Sequence, residues 1–126
     1  GAVRGQLSFH YNGDIYPCDE GRMLKEMGDD IFKLGNVDEI TYPQLLNTPT
    51  FKGMMAASCL DTLPECSFCV FKPYCGTCPI YNYTQFGTLY PQVPKDKRCK
   101  IMKGIFETLF ERLETPKVKK VFLSWT

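Results

Sequence analysis

Two short runs of alternating character, centred on residues 6–11 and 14–18, flank Asn12-Gly13. Both turn residues tolerate positive φ, so the segment predicts a β-hairpin that carries Cys18 at the end of its second strand. A third extended run is expected over residues 31–37, IFKLGNV, entered from a turn at Gly28-Asp29. Residues 42–58 predict two helical pieces. Pro43 opens the first and Asn47 closes it; Thr48 then suits an N-cap with Pro49 at the first helical position. Phe51, Met54 and Met55 give the second piece an apolar face.

Periodicity then fails for forty residues. Residues 59–98 mix Cys, Pro, Gly and Tyr without a sustained repeat, and so long an irregular stretch needs a reason to be ordered. It returns over residues 99–114, where Ile101, Met102, Ile105, Phe106, Leu109, Phe110 and Leu113 share one helical face. That stripe is expected to pack in the core. Pro116 is expected to end the helix, leaving residues 115–126 as a tail with a short strand or a docking segment. The expected fold class is a small cysteine-rich α+β domain over residues 1–126: N-terminal hairpin, short helices, irregular metal-binding loops, C-terminal amphipathic helix.

Composition narrows the function. Apolar residues make up 44% and the net charge is +1, which argues for a folded domain and against a broad nucleic-acid-binding face. No apolar run approaches the ~18 residues of a membrane span. No signal-peptide order opens the chain, and a first residue of Gly rather than Met is read as the edge of a processed or excised piece. A reducing, cytoplasmic setting is expected, with thiols free for metal.

Seven cysteines are present, an odd number that suits a disulfide scaffold poorly. Cys66, Cys69, Cys75 and Cys78 read C-x2-C-x5-C-x2-C, with Cys99 beyond them. Closely spaced thiolates converge on a soft metal or an iron–sulfur cluster. Zinc would take Cys66/Cys69 with Cys75/Cys78. A [4Fe–4S] cube, which spreads its ligands farther apart, would take Cys66, Cys69, Cys75 and the remote Cys99. Spacing alone leaves both open, the zinc alternative being a structural domain that binds another protein.

Residues 13–18, GDIYPC, form a G-x4-C unit, followed by FKLGNVDEITYPQLLNTPTF and then by Cys66-x2-Cys69-x5-Cys75, Cys78 and Cys99. In this order the elements resemble the SPASM domain, the C-terminal auxiliary-cluster domain of radical SAM enzymes that modify peptides and proteins. The stretch CSFCVFKPYCGTCPIYNY further resembles the His-Xaa-Ser-type maturases. The resemblance implies [4Fe–4S] cofactors, one or two of them. Cys66, Cys69, Cys75 and Cys99 match the ligands of the second auxiliary cluster; Cys18 and Cys78 match two ligands of the first. The family's first cysteine, upstream of Gly13, has no counterpart, and Cys75-x2-Cys78 is one residue shorter than the family spacing. Cys59 is an extra thiol that would fill out the first site.

The C-x3-C-x2-C motif that holds a radical SAM catalytic cluster does not occur here. No catalytic residue is therefore assigned, and S-adenosylmethionine would belong to a separate N-terminal barrel of the same polypeptide. The expected role is an accessory, oxidoreductase-like one in peptide maturation: relaying electrons, docking a peptide or protein substrate, or both, with no nucleic-acid or membrane partner.

Several other side chains have plainer readings. His10 is expected as a half-exposed strand residue. Asp19 and Glu20 are expected as solvated loop carboxylates. Tyr74, Tyr81, Tyr83 and Tyr90 are expected to cover a small metal core, and Lys95, Lys97, Arg98 and Lys100 to be a solvated segment opening the last helix.

Overall fold

A computed structural model of the chain describes residues 3–125. Three short antiparallel strands form one sheet in the order β1 (Ser8–Phe9), β2 (Asp14–Tyr16), β3 (Gly35–Asn36). The register pairs Ser8 with Tyr16 and Phe9 with Ile15 across the hairpin, then Asp14 with Asn36 and Ile15 with Gly35. Six α-helices accompany it among the described residues: α1 (Asp19–Glu26), α2 (Tyr42–Leu46), α3 (Pro49–Ala57), α4 (Pro79–Phe86), α5 (Lys97–Leu113) and α6 (Pro116–Leu123). The fold is thus a small α+β domain.

The hairpin forms where the sequence predicts it. Gly13 turns at φ 87°, and the Asn12 side chain accepts the Asp14 N–H at 3.1 Å, closing the turn locally. Buried Asp14 fixes the hairpin to its surroundings. Its carboxylate accepts from Lys25 and Lys33, each at 2.7 Å, and from the Asn36 and Asn12 amides at 3.0 and 2.9 Å. His10 is buried rather than half-exposed: Nε2 lies 2.7 Å from Glu26 Oε1 and Nδ1 lies 2.9 Å from Asn12 Oδ1. It ties the hairpin to α1. The extended run expected over 31–37 is a strand only at Gly35–Asn36, where an added Cβ on Gly35 would come within 2.7 Å of Ile40 Cγ2.

The two helical pieces at 42–58 also form. Thr41 and Gln44 make a capping box at α2, and Asn47 closes it. Thr48 caps α3, accepting the Phe51 N–H at 3.2 Å, with Pro49 opening the helix.

Two corrections concern the C-terminal third. Residues 116–123 are helical, not a strand or irregular tail; Pro116 opens α6 instead of merely ending α5. The apolar stripe of α5 is also not a core face. Only Phe106 is buried, whereas Ile101 is 58% and Ile105 45% exposed, and Leu109 and Phe110 are exposed too.

Burial divides the interior in two. Ile15, Tyr16, Phe32, Leu34, Leu45, Met54 and Ile80 form the larger core, with Cys18 inside it and Cys78 packed against it. Leu60, Leu63 and Cys66 form the smaller one, with Cys75 and Val93 against it. Each core thus carries its own cysteines.

Candidate metal centre

The smaller core opens into a cavity of about 380 Å³ whose lining includes Cys66, Cys69, Cys75 and Cys99. Successive tight turns deliver the first three. The Cys69 N–H bonds to the Cys66 carbonyl at 3.0 Å, and the Lys72 N–H to the Cys69 carbonyl at 3.0 Å. A single 3-10 turn over Lys72–Tyr74, opened by Pro73, then places Cys75. Cys99 arrives from far along the chain, in the first turn of α5 behind the Asp96 cap. That is the positive end of a helix, where a thiolate is electrostatically favoured.

These thiols sense one another. Burial holds the Cys66 thiol above its ordinary pKa, and the nearby Cys99, Cys75 and Cys69 sulfurs push it the same way. Burial likewise raises Cys75. A backbone hydrogen bond at Gly76 works against that rise, Cys99 and Cys69 add to it, and Arg98 opposes it. Cys66 and Cys75, both partly desolvated, resist ionisation unless a cation neutralises them. Among the described residues no three His, Cys, Asp or Glu side chains gather tightly enough for a single ion. The four cysteines share one cavity as lining residues.

Cys78 does not line that cavity. It is the N-cap of α4, and its sulfur accepts the Tyr81 N–H at 3.5 Å. Its thiol neighbour is Cys18, the N-cap of α1. Burial, first, and a hydrogen bond to the Glu20 carboxylate push the Cys18 thiol up to about 12; the Cys78 sulfur adds a smaller push. The same bond holds the Glu20 carboxyl below its ordinary pKa. Glu20, although exposed, is therefore not simply solvated. The approach of the two caps depends on Gly21, whose missing Cβ would meet Ile80 Cδ1 at 3.2 Å and Pro17 Cδ at 3.3 Å.

Cys59 stands elsewhere. It precedes the 3-10 turn Leu60–Thr62, with its sulfur 3.6 Å from Asp61 Oδ2, and Asp61 in turn accepts from Lys72. It is not a lining residue of the four-cysteine cavity.

A family model for an iron–sulfur cluster-binding domain, SPASM, matches residues 1–79. The chain belongs to the SPASM family. It is accordingly an iron–sulfur cluster-binding accessory domain of the kind found in radical SAM enzymes. The match takes in six of the seven cysteines and stops short of Cys99, so the membership of Cys99 in the site rests on the cavity it lines. No curated protein matches the chain, and no solved structure matches it. Among the described residues no helix is long and apolar enough to cross a membrane.

Three of the four tyrosines expected to cover the metal core do not line the cavity. Tyr83 donates to Asp29 at 2.7 Å and meets Phe32 edge-on; Tyr74 meets Phe110 edge-on; Tyr90 reaches the Gly53 carbonyl. Tyr81 alone of the four lines the cavity, beneath the Arg98 guanidinium at 4.9 Å. The charged wall of this cavity is what the sequence did not disclose. In the sequence Arg98 reads as one more solvated charge of the segment that opens the last helix.

Proposed function

We propose that Cys66, Cys69, Cys75 and Cys99 hold one [4Fe–4S] cluster, and that the chain serves a radical SAM peptide or protein maturase as its electron-relay and substrate-docking domain. The observation that carries this is the cavity in which those four thiols, one of them remote in sequence, come together. In a SPASM domain such a cavity has an immediate use. A cluster whose irons all carry cysteine ligands has no open position for substrate, so its chemistry is electron transfer.

Cys18 and Cys78 belong to a second centre at the paired caps of α1 and α4. Cys59, expected from the sequence to fill out that centre, is left out of both in this reading, because its sulfur lies 3.6 Å from Asp61 Oδ2. Residues 1–126 act as one auxiliary unit, and the S-adenosylmethionine barrel and the substrate are its partners. The working compartment is the cytoplasm. The zinc alternative would use Cys66, Cys69, Cys75 and Cys78, but Cys78 faces Cys18 and not the cavity.

Anaerobic reconstitution with iron and sulfide tests the reading. Brown protein with broad visible absorbance and at least one four-iron unit per chain supports it. Colourless protein holding stoichiometric zinc under the same conditions overturns it.

A further inference from the structure

The cavity wall carries charge that ligation leaves unused. Its cationic side chains are Lys72, Arg98 and Lys103; its anionic ones are Glu65, Asp96 and Glu107. Lys72 is spoken for by Asp61 at 2.5 Å. Arg98 makes no salt bridge among the described residues; it is held in place by other means. Its backbone N–H donates to Asp96 Oδ1 at 3.2 Å, and its guanidinium rests over the Tyr81 ring at 4.9 Å, within cation–π range. The Asp96 carboxylate also lies near enough to the Tyr81 hydroxyl to add to the rise of its pKa. Asp96 thus holds the backbone that bears the cation and lies beside the ring beneath it. Arg98 also precedes Cys99 directly in the first turn of α5.

We propose that Arg98 is the residue that sets the reduction potential of the cluster in this cavity, with Tyr81 and Asp96 as the residues that position it. The inference rests on the assignment of that cluster to Cys66, Cys69, Cys75 and Cys99. Reduction adds one electron to the cluster and no proton to Arg98. A fixed positive charge beside the sulfurs favours the reduced form and raises the potential. Arginine suits the task because it stays protonated across the working pH range and its planar head stacks on a ring. Its side chain is open to solvent, so its influence is salt-sensitive.

The test is redox titration of the anaerobically reconstituted chain, followed by electron paramagnetic resonance, in the wild type and in Arg98→Gln, Arg98→Lys and Lys103→Gln. Cys69→Ala assigns the signal: the titrating species that disappears belongs to this cavity. Arg98→Gln is expected to move that species to a more negative potential while iron per chain and spectral shape stay those of the wild type. Arg98→Lys is expected to recover most of the shift. Lys103→Gln, which removes a charge from the same wall but not from the residue adjoining Cys99, is expected to move it less. High salt is expected to shrink the difference between wild type and Arg98→Gln. An unchanged potential in Arg98→Gln, an equal shift in Lys103→Gln, or loss of iron from Arg98→Gln would each overturn the proposal. Absence of any cluster signal in the wild type would instead refute the underlying ligand assignment.

Discussion

Cys18 and Cys78 hold the N-cap positions of two different helices, α1 and α4, and the Cys78 sulfur lies near enough to Cys18 to add to the rise of its thiol. Sixty residues apart in sequence, they meet because Gly21 on α1 allows Ile80 on α4 to press against the backbone. Both are placed at helix N-termini, where unpaired N–H groups favour an anionic ligand.

The contact at Gly21 is sensitive to volume. Gly21→Val puts branched carbon where only 3.2–3.3 Å is free, and an overpacked contact of this kind costs about 1–3 kcal/mol. A lower Tm is expected, together with loss of iron at the Cys18/Cys78 centre. The cavity cluster, built on a separate core, is expected to keep its spectrum. Iron counting and paramagnetic resonance on the reconstituted variant check both.

Asp14 anchors the hairpin by charge. Two lysines and two amides hold its carboxyl far below the ordinary range, overcoming its burial. A depressed folded-state pKa contributes stability that is fully present above the unfolded value, about 4, and is lost as pH falls below it. Asp14→Asn is expected to lower stability at pH 7 by about 2 kcal/mol. In denaturant melts the gap between variant and wild type should narrow steadily as pH drops below about 4. A gap independent of pH would refute the ionic account of the anchor.

Cys59 offers a clean contrast among the seven thiols. Its partner is Asp61 and it lines no part of the cavity. Cys59→Ala is expected to retain the full wild-type iron content, whereas Cys66→Ala, Cys69→Ala, Cys75→Ala and Cys99→Ala are each expected to lose the same cluster. Equal iron loss from Cys59→Ala would make it a ligand.

Burial of the thiols gives the cluster-free protein a pH dependence of its own. The Cys18 thiol, pushed up to about 12 by burial, stabilises the fold fully below the unfolded thiol value near 8.5, and that contribution falls as pH rises from there toward the folded value. Reductant-treated, iron-free protein is thus expected to lose stability progressively above about pH 8.5. Cys18→Ser, with no comparable thiol to ionise, is expected to show a flatter alkaline profile in thermal melts.

Much of this architecture is readable from the residues. Asn12-Gly13 specified the hairpin, Thr48-Pro49 the start of α3, and the 3.6-residue period the body of α5, because each is a local signal with a local cause. Spacing offered the grouping of remote Cys99 with Cys66, Cys69 and Cys75 as one of two alternatives, and likeness to a family favoured it; all four line one cavity. Other features escaped for identifiable reasons. Helix α1 has the sequence DEGRMLKE and buries only Gly21, so it shows almost no apolar face to detect. Helix α4 begins with a cysteine cap inside a cysteine-rich run, where no ordinary Ser, Thr, Asp or Asn signal announces it. Pro116 was ambiguous, since proline both stops one helix and opens the next. The stripe on α5 identified a shared face correctly but not what lies against it: periodicity reports which residues point together, whereas burial depends on a partner element. His10 was misplaced because its burial depends on Glu26, a residue of the undetected α1.

The central claim is that one cluster lies between Cys66, Cys69, Cys75 and Cys99. Iron and acid-labile sulfide per chain, measured after oxygen-free reconstitution of the wild type and of Cys99→Ala, test it most directly, because Cys99 is the ligand that only the folded cavity brings to the others. The account expects the wild type to hold a four-iron, four-sulfide unit that Cys99→Ala lacks. Wild-type protein that stays free of iron, or a Cys99→Ala variant that binds as much iron and sulfide as the wild type, would contradict it.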